Sequence, residues 1–220
     1  MYSRLIRKMT HRLTRNLFSI VITTLFITIG SLSSLSIQAG ATASTNTTTP
    51  SKVTTGGRFM LQDQTGKIVT DEDFKGKFML IYFGYTYCPD ICPTSLQTIA
   101  HALDLLGKKG NVIQPIFISI DPQRDTVKVL REYVAAFHPR LIGLTGTEAV
   151  VNSVAKKYRV RFKKVSETGG INDDYTVDHT SSVFLMGPQG EFITRFSHAT
   201  TSKQMAAKLA TIIGKFTAKK

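Results

Sequence analysis

The chain's only two cysteines lie four residues apart, in Cys88-Pro-Asp-Ile-Cys92, just behind the apolar run Lys77-Phe-Met-Leu-Ile-Tyr-Phe83. An apolar run of that length, with no alternation, is what a strand covered on both faces requires. Beyond the pair, from Thr94, apolar residues recur at Leu96, Ile99, Ala100, Leu103, Leu105 and Leu106. That is helical spacing, and Gly107 is a plausible stop. The sequence therefore delivers both thiols to the junction between a buried strand and a helix.

The rest of the body extends the pattern. Phe59–Leu61 and Lys67–Val69 flank Asp63-Gln-Thr-Gly66, a hairpin turn by composition, and Asp71–Phe74 reads as a short helical turn. Val112–Ile120 is a second buried strand, Thr126–Phe137 a helix, Leu141–Leu144 a short strand, and Thr147–Tyr158 a helix that opens on a cap-like threonine. Val160–Phe162 is extended again. Ser182–Met186 and Phe192–Phe196 form a hairpin around Pro188-Gln-Gly190, and Ser202–Phe216 closes the chain as a helix. This order predicts an α/β fold with a mixed sheet and helices on both faces. A strand running into a cysteine pair at the start of a helix makes it thioredoxin-like.

The N-terminus reads differently. Arg4, Arg7, Lys8, Arg12 and Arg15 precede an uncharged stretch that lasts until Lys52, and Leu17–Ile29 within it is mainly apolar, continuing weakly to Ile37. A basic start, an apolar centre and small residues at Ala39-Gly-Ala41 or Ala41-Thr-Ala43 fit a signal peptide. The apolar stretch also reaches the length a membrane span needs, and on either reading the body is exported while the basic flank stays inside. No cysteine near residue 40 marks a lipid anchor. The expected organisation is a basic inside flank over 1–15, a transmembrane anchor or signal peptide over 16–38, a flexible Thr/Ser-rich tether over 39–55, and a domain over 56–220. Net charge is +13. The lysines and arginines of the body are scattered and form no nucleic-acid motif, so a solvated basic surface is expected and nucleic-acid binding is not.

Two thiols in an exported domain admit three readings. A structural disulfide is common in such compartments, but one closing so short a loop constrains the unfolded chain little. A redox dithiol suits the fold, although oxidoreductase pairs carry two intervening residues rather than three; a helix N-terminus would lower a thiol pKa there. A soft-metal site suits thiolates and calls for further ligands. Pro93 opposes helical angles at Cys92, which places the pair on a bent loop. Of the five histidines, His11 lies on the targeting side, His101 and His138 lie in helical stretches, and His198 sits in a polar loop. His179 follows Asp178 where a polar segment meets the Ser182 strand, and a carboxylate beside an imidazole is a common device for orienting a ligand. The residues alone leave these readings open.

Four segments resemble the Sco/SenC copper chaperones: Phe83-Gly-Tyr-Thr-Tyr-Cys88-Pro-Asp-Ile-Cys92-Pro-Thr-Ser, Phe117-Ile-Ser-Ile-Asp-Pro-Gln-Arg-Asp-Thr126, Phe137-His-Pro-Arg-Leu-Ile-Gly-Leu-Thr-Gly146 and Tyr175-Thr-Val-Asp-His179-Thr. The resemblance runs from about Phe59 to the last helix. It implies a thioredoxin-like domain that holds one copper ion, as Cu(I) or Cu(II), on Cys88, Cys92 and His179. It further implies a role in assembling the dinuclear copper centre of cytochrome c oxidase. Subunit II or a similar copper acceptor would be the partner, reached either by copper delivery or by thiol–disulfide reduction of its cysteines. It favours an N-terminal anchor in the bacterial inner membrane with the domain facing the periplasm. Secretion to the periplasm, or a mitochondrial inner membrane with the domain facing the intermembrane space, are the other placements. Whether the chain is an enzyme is left open. A peroxidase-like relative needs neither a second cysteine four residues on nor a distant histidine. The polar segment from Lys164 to Asp178 is expected to be a mobile loop that settles when His179 binds metal, with Asp178 as a candidate partner for the imidazole.

Overall fold

A computed structural model describes residues 54–166 and 175–218. The expected basic flank, the anchor or signal segment and all but the end of the tether lie outside the described residues. Among the described residues no helix is long and apolar enough to cross a membrane.

The centre of the molecule is β3 (Phe78–Gly84), every residue of which is buried. It pairs in parallel with β4 (Ile113–Ser119), from Phe78 opposite Ile113 to Gly84 opposite Ser119. On its other side it pairs antiparallel with β8 (Val183–Met186). Around this trio a seven-stranded mixed sheet is completed by β1 (Met60–Asp63), β2 (Ile68–Thr70), β5 (Ile142–Thr145) and β9 (Phe192–Phe196), in the order β2-β1-β5-β4-β3-β8-β9. The continuous apolar runs are the ones that became the central strands, because only a strand covered on both faces excludes polar side chains from both.

Helices cover both faces. They are α1 (Ile91–Leu106), α2 (Val127–Ala135), α3 (Glu148–Lys157) and α4 (Ser202–Thr217). Successive side chains of a strand point to opposite faces. Thus Phe83 and Phe184 meet Tyr158, just past α3, whereas Tyr82 meets Cys92 of α1 on the other face. The last helix α4 packs along α1. Three helices start on a threonine whose hydroxyl accepts a first-turn N–H: Thr126 from Val129, Thr147 from Val150, and Thr201 from Gln204. The thioredoxin-like α/β architecture is as expected, and element ends agree within a few residues.

Two local expectations are corrected. The helix expected from Thr94 begins at Ile91 and includes Cys92 and Pro93. Proline in a first helical turn removes an N–H that has no partner within the helix anyway, so Pro93 does not push Cys92 onto a loop. The segment from Lys164 to Asp178 is not wholly a loop. Its ends belong to a separate two-stranded antiparallel ribbon, β6 (Phe162–Val165) with β7 (Thr176–His179), which sets Phe162 opposite His179 and Lys163 opposite Asp178. The intervening residues 167–174 lie outside the described residues.

Candidate metal centre

The site begins where β3 ends. Gly84 closes the strand, Tyr85 to Asp90 turn away from the sheet, and α1 opens at Ile91. Cys92 is thereby the second residue of the helix and is fully buried, while Cys88 stays half-buried on the turn. The first N–H groups of a helix lack an intrahelical acceptor. One of them, the Cys92 N–H, donates to Cys88 Sγ at 3.4 Å, which holds the two sulfurs together. Tyr82 Oη donates to Cys92 Sγ at 3.6 Å from the floor of the site. A Cβ at Gly84 would lie 2.8 Å from Cys92 Sγ, so the strand end approaches the thiol as closely as only glycine permits.

The electrostatics at Cys92 differ from the lowered thiol pKa expected beside a helix N-terminus. Burial pushes the Cys92 thiol up to about 12, outweighing the hydrogen bonds that favour the thiolate. Burial also pushes the Tyr82 phenol upward. Metal-free Cys92 is therefore a thiol at neutral pH.

His179 is the last residue of β7, and the ribbon brings it over the cysteines. Its Nε2 lies 3.4 Å from Cys92 Sγ, and its Nδ1 lies 3.2 Å from the Thr180 carbonyl. A carbonyl only accepts, so Nδ1 carries the proton and Nε2 turns its lone pair toward the Cys92 S–H. Burial lowers the His179 pKa from its ordinary value, which keeps the ring neutral at neutral pH and fit to ligate. Tyr82 and Tyr85 pack edge-on to the imidazole, each at 6.1 Å between ring centres. Asp178 is exposed, and the Thr180 carbonyl occupies the orienting position expected for it.

The two Sγ atoms and the imidazole nitrogen all lie within 4.8 Å of one another. No other cluster of metal-ligating side chains occurs among the described residues. His101 and His198 are exposed, His138 Nδ1 accepts the Arg140 N–H, and His11 lies outside the described residues. Two soft sulfurs and one imidazole are a donor set for copper, Cu(I) above all. The three residues singled out in the sequence thus meet at one point.

What holds the cysteine turn down was not among the residues singled out in the sequence. Asp125 is fully buried behind it. Its carboxylate accepts from the Thr86 N–H at 3.1 Å, from Thr86 Oγ1 at 2.6 Å and from Ser119 Oγ at 2.6 Å. Burial raises its pKa above the usual carboxylate range, against those three bonds. The only signal was the pattern Asp121-Pro-Gln-Arg-Asp125 directly after a buried strand.

Proteins similar to this chain include copper-bound solved structures. The solved copper-bound structure of ScoI from Bradyrhizobium japonicum is 45% identical, with a TM-score of 0.65 over 71% of this chain and 98% of that one. Copper-bound yeast Sco1 is 39% identical, with a TM-score of 0.68 over 73% of this chain and 89% of that one. Protein sco1 of Schizosaccharomyces pombe is 45% identical over 152 residues, which are 69% of this chain and 58% of that protein. The chain spans about half the length of the curated relatives it matches. The SCO1/SenC family profile matches residues 47–214, and the chain belongs to that family.

Proposed function

We propose that this protein is a copper metallochaperone that assists assembly of the dinuclear copper centre of cytochrome c oxidase. It takes one copper ion, as Cu(I) or Cu(II), on Cys88 Sγ, Cys92 Sγ and His179 Nε2. The observation that carries this is the convergence of those three donor atoms within 4.8 Å on the framework its copper-bound relatives share. Loading replaces the Cys92 proton, which burial otherwise holds tightly, and the neutral imidazole needs no deprotonation at Nε2. Cys88 is the more exposed sulfur and the natural point of entry for an acceptor thiolate. Only three ligands leave room for that thiolate before a protein ligand departs. Subunit II of the oxidase, or a similar copper acceptor, is the proposed partner. Residues 16–38 are proposed to hold the domain at a bacterial inner membrane, facing the periplasm; relatives are mitochondrial proteins in other organisms.

A second reading rests on the close approach of the half-exposed Cys88 sulfur to the Cys92 backbone. As a dithiol, the pair would reduce a partner disulfide. Cys88 thiolate attacks one partner sulfur, and Cys92 then resolves the mixed disulfide. The partner leaves with two thiols, and two electrons have moved to form a Cys88–Cys92 disulfide.

Anaerobic copper stoichiometry with and without reductant, on wild type and His179→Ala, separates the two. We expect one copper per reduced wild-type chain, none after oxidation to the disulfide, and weak binding by His179→Ala with thiol exchange retained. A reduced wild-type protein that takes up no copper overturns the proposal.

A further inference from the structure

We infer that Arg124 is a positioning residue of the copper centre: seated by Asp121, it clamps Tyr175 and so docks the β6–β7 ribbon, with His179, against the cysteine turn. This rests on the copper-binding proposal above.

The ribbon belongs to its own two-stranded sheet, and among the described residues no ladder of backbone hydrogen bonds joins it to the seven-stranded one. Val177 seats the ribbon on the core and its backbone bonds Tyr85, and the turn after β4 adds a clamp at the ribbon's entrance. Asp121 is fully buried, and Arg124 is only 13% exposed. The two oxygens of Asp121 are divided: Oδ2 accepts from Arg124 Nε at 2.5 Å, and Oδ1 accepts from the Tyr175 hydroxyl at 2.7 Å. The guanidinium then donates from Nη1 to the Tyr175 carbonyl at 2.9 Å, and its centre lies 3.7 Å from the centre of the Tyr175 ring. Tyr175 is thus gripped at its backbone, its ring face and its hydroxyl. It enters β7 directly, four residues ahead of His179.

The same guanidinium reaches the other half of the site. It lies 5.7 Å from the Tyr85 ring and 4.7 Å from the Tyr87 ring, both on the turn that carries Cys88. Tyr85 in turn packs edge-on to His179. A planar cation that stacks on aromatic faces while it donates in two fixed directions is what such a junction needs. Lysine offers a point charge on a flexible stem and cannot do both. Lys164 adds a second charge beside the same ring, 4.8 Å from the Tyr175 ring and 4.0 Å from Asp121, while its amine donates to Gln123 Oε1 at 2.8 Å.

Two measurements on Arg124→Lys test the assignment, with Tyr175→Leu as a second variant that removes the ring instead of the cation. The first is Cu(I) affinity by anaerobic competition with a chelator, taken in wild type, in His179→Ala and in each double variant. Changing a residue that orients a metal ligand costs about 10- to 100-fold in affinity. We expect a loss near the lower end for each variant alone and no further loss when it is added to His179→Ala, because the clamp acts through that histidine. The second is amide hydrogen exchange in the metal-free protein. Exchange over Thr176–His179 should accelerate while β3 and β4 keep their protection, which general destabilisation would not produce. Wild-type affinity in both variants, full additivity with His179→Ala, or unchanged ribbon exchange overturns the inference. Unchanged copper binding by His179→Ala alone overturns the ligand set itself, and that single arm distinguishes the two failures.

Discussion

The cysteine half of the centre and the histidine half are built by different means. Cys92 sits in the first turn of a 16-residue helix, against strands whose residues are almost wholly buried. Tyr82 bonds it from below, Gly84 leaves it room, and Asp125 holds the turn that leads to it through Thr86. His179 sits at the end of a four-residue strand whose neighbours Lys163, Lys164, Thr176 and Asp178 are exposed. Val177 is the buried residue of that strand, and Phe162 opposite His179 is half-buried. Local stability follows buried apolar contact, so the two halves should open at different free energies. The comparison teaches that a preformed dithiol is met by a separately docked imidazole, the third ligand in the proposed copper centre. On the proposed ligand set, such a centre is expected to gain and lose its third ligand without disturbing the fold.

The largest effect expected from this contrast is a separation of copper binding from stability. His179→Ala should lower Cu(I) affinity by more than the roughly 100-fold upper end for changes outside the ligand set. It should leave the urea midpoint close to wild type. A matching loss of stability would break the comparison.

Gly84→Ala attacks the other half. The new methyl would lie 2.8 Å from Cys92 Sγ and 3.0 Å from both Phe117 and Tyr82. Overpacking of this kind costs about 1–3 kcal/mol, read from urea unfolding. Copper affinity should fall together with stability, unlike in His179→Ala.

Thr86→Val removes one hydroxyl donor from buried Asp125 and keeps the N–H bond. A loss of about 1–3 kcal/mol is expected by thermal or urea unfolding, since a buried carboxylate is left less satisfied. No measurable loss would mean that Asp125 does not hold the cysteine turn.

The smallest effect is one of pH. Because burial raises the Asp125 pKa, the native state takes up this proton before the unfolded chain does. The group's contribution is full below its unfolded pKa and is lost as pH rises through its native pKa. The stability of wild type relative to Asp125→Asn should therefore grow as pH is lowered toward the ordinary carboxylate pKa of about 4. A gap that stays constant or shrinks contradicts the assignment.

The two halves also differed in how far the sequence revealed them. β3, β4 and β8 announce themselves because strands buried on both faces must be apolar at every position. The ribbon does not, because Phe162-Lys-Lys-Val165 and Thr176-Val-Asp-His179 turn few apolar side chains inward and resemble a polar loop. The start of α1 was obscured by Pro93, whose preference against a helical predecessor is outweighed in a first turn. Cys88 and Cys92 were legible as a reactive or metal-binding pair, and His179 became specific only through family resemblance. Asp121, Arg124 and Asp125 were missed as supports of the site. Nothing in a run of charged residues shows that their side chains will be buried and bonded to one another.

The most direct test of the central claim is X-ray absorption on the Cu(I)-loaded, reduced protein. Two sulfur scatterers and one imidazole nitrogen are expected in wild type, with the nitrogen lost in His179→Ala. Sulfur-only coordination in wild type, or an unchanged nitrogen shell in His179→Ala, would contradict a centre made of Cys88, Cys92 and His179.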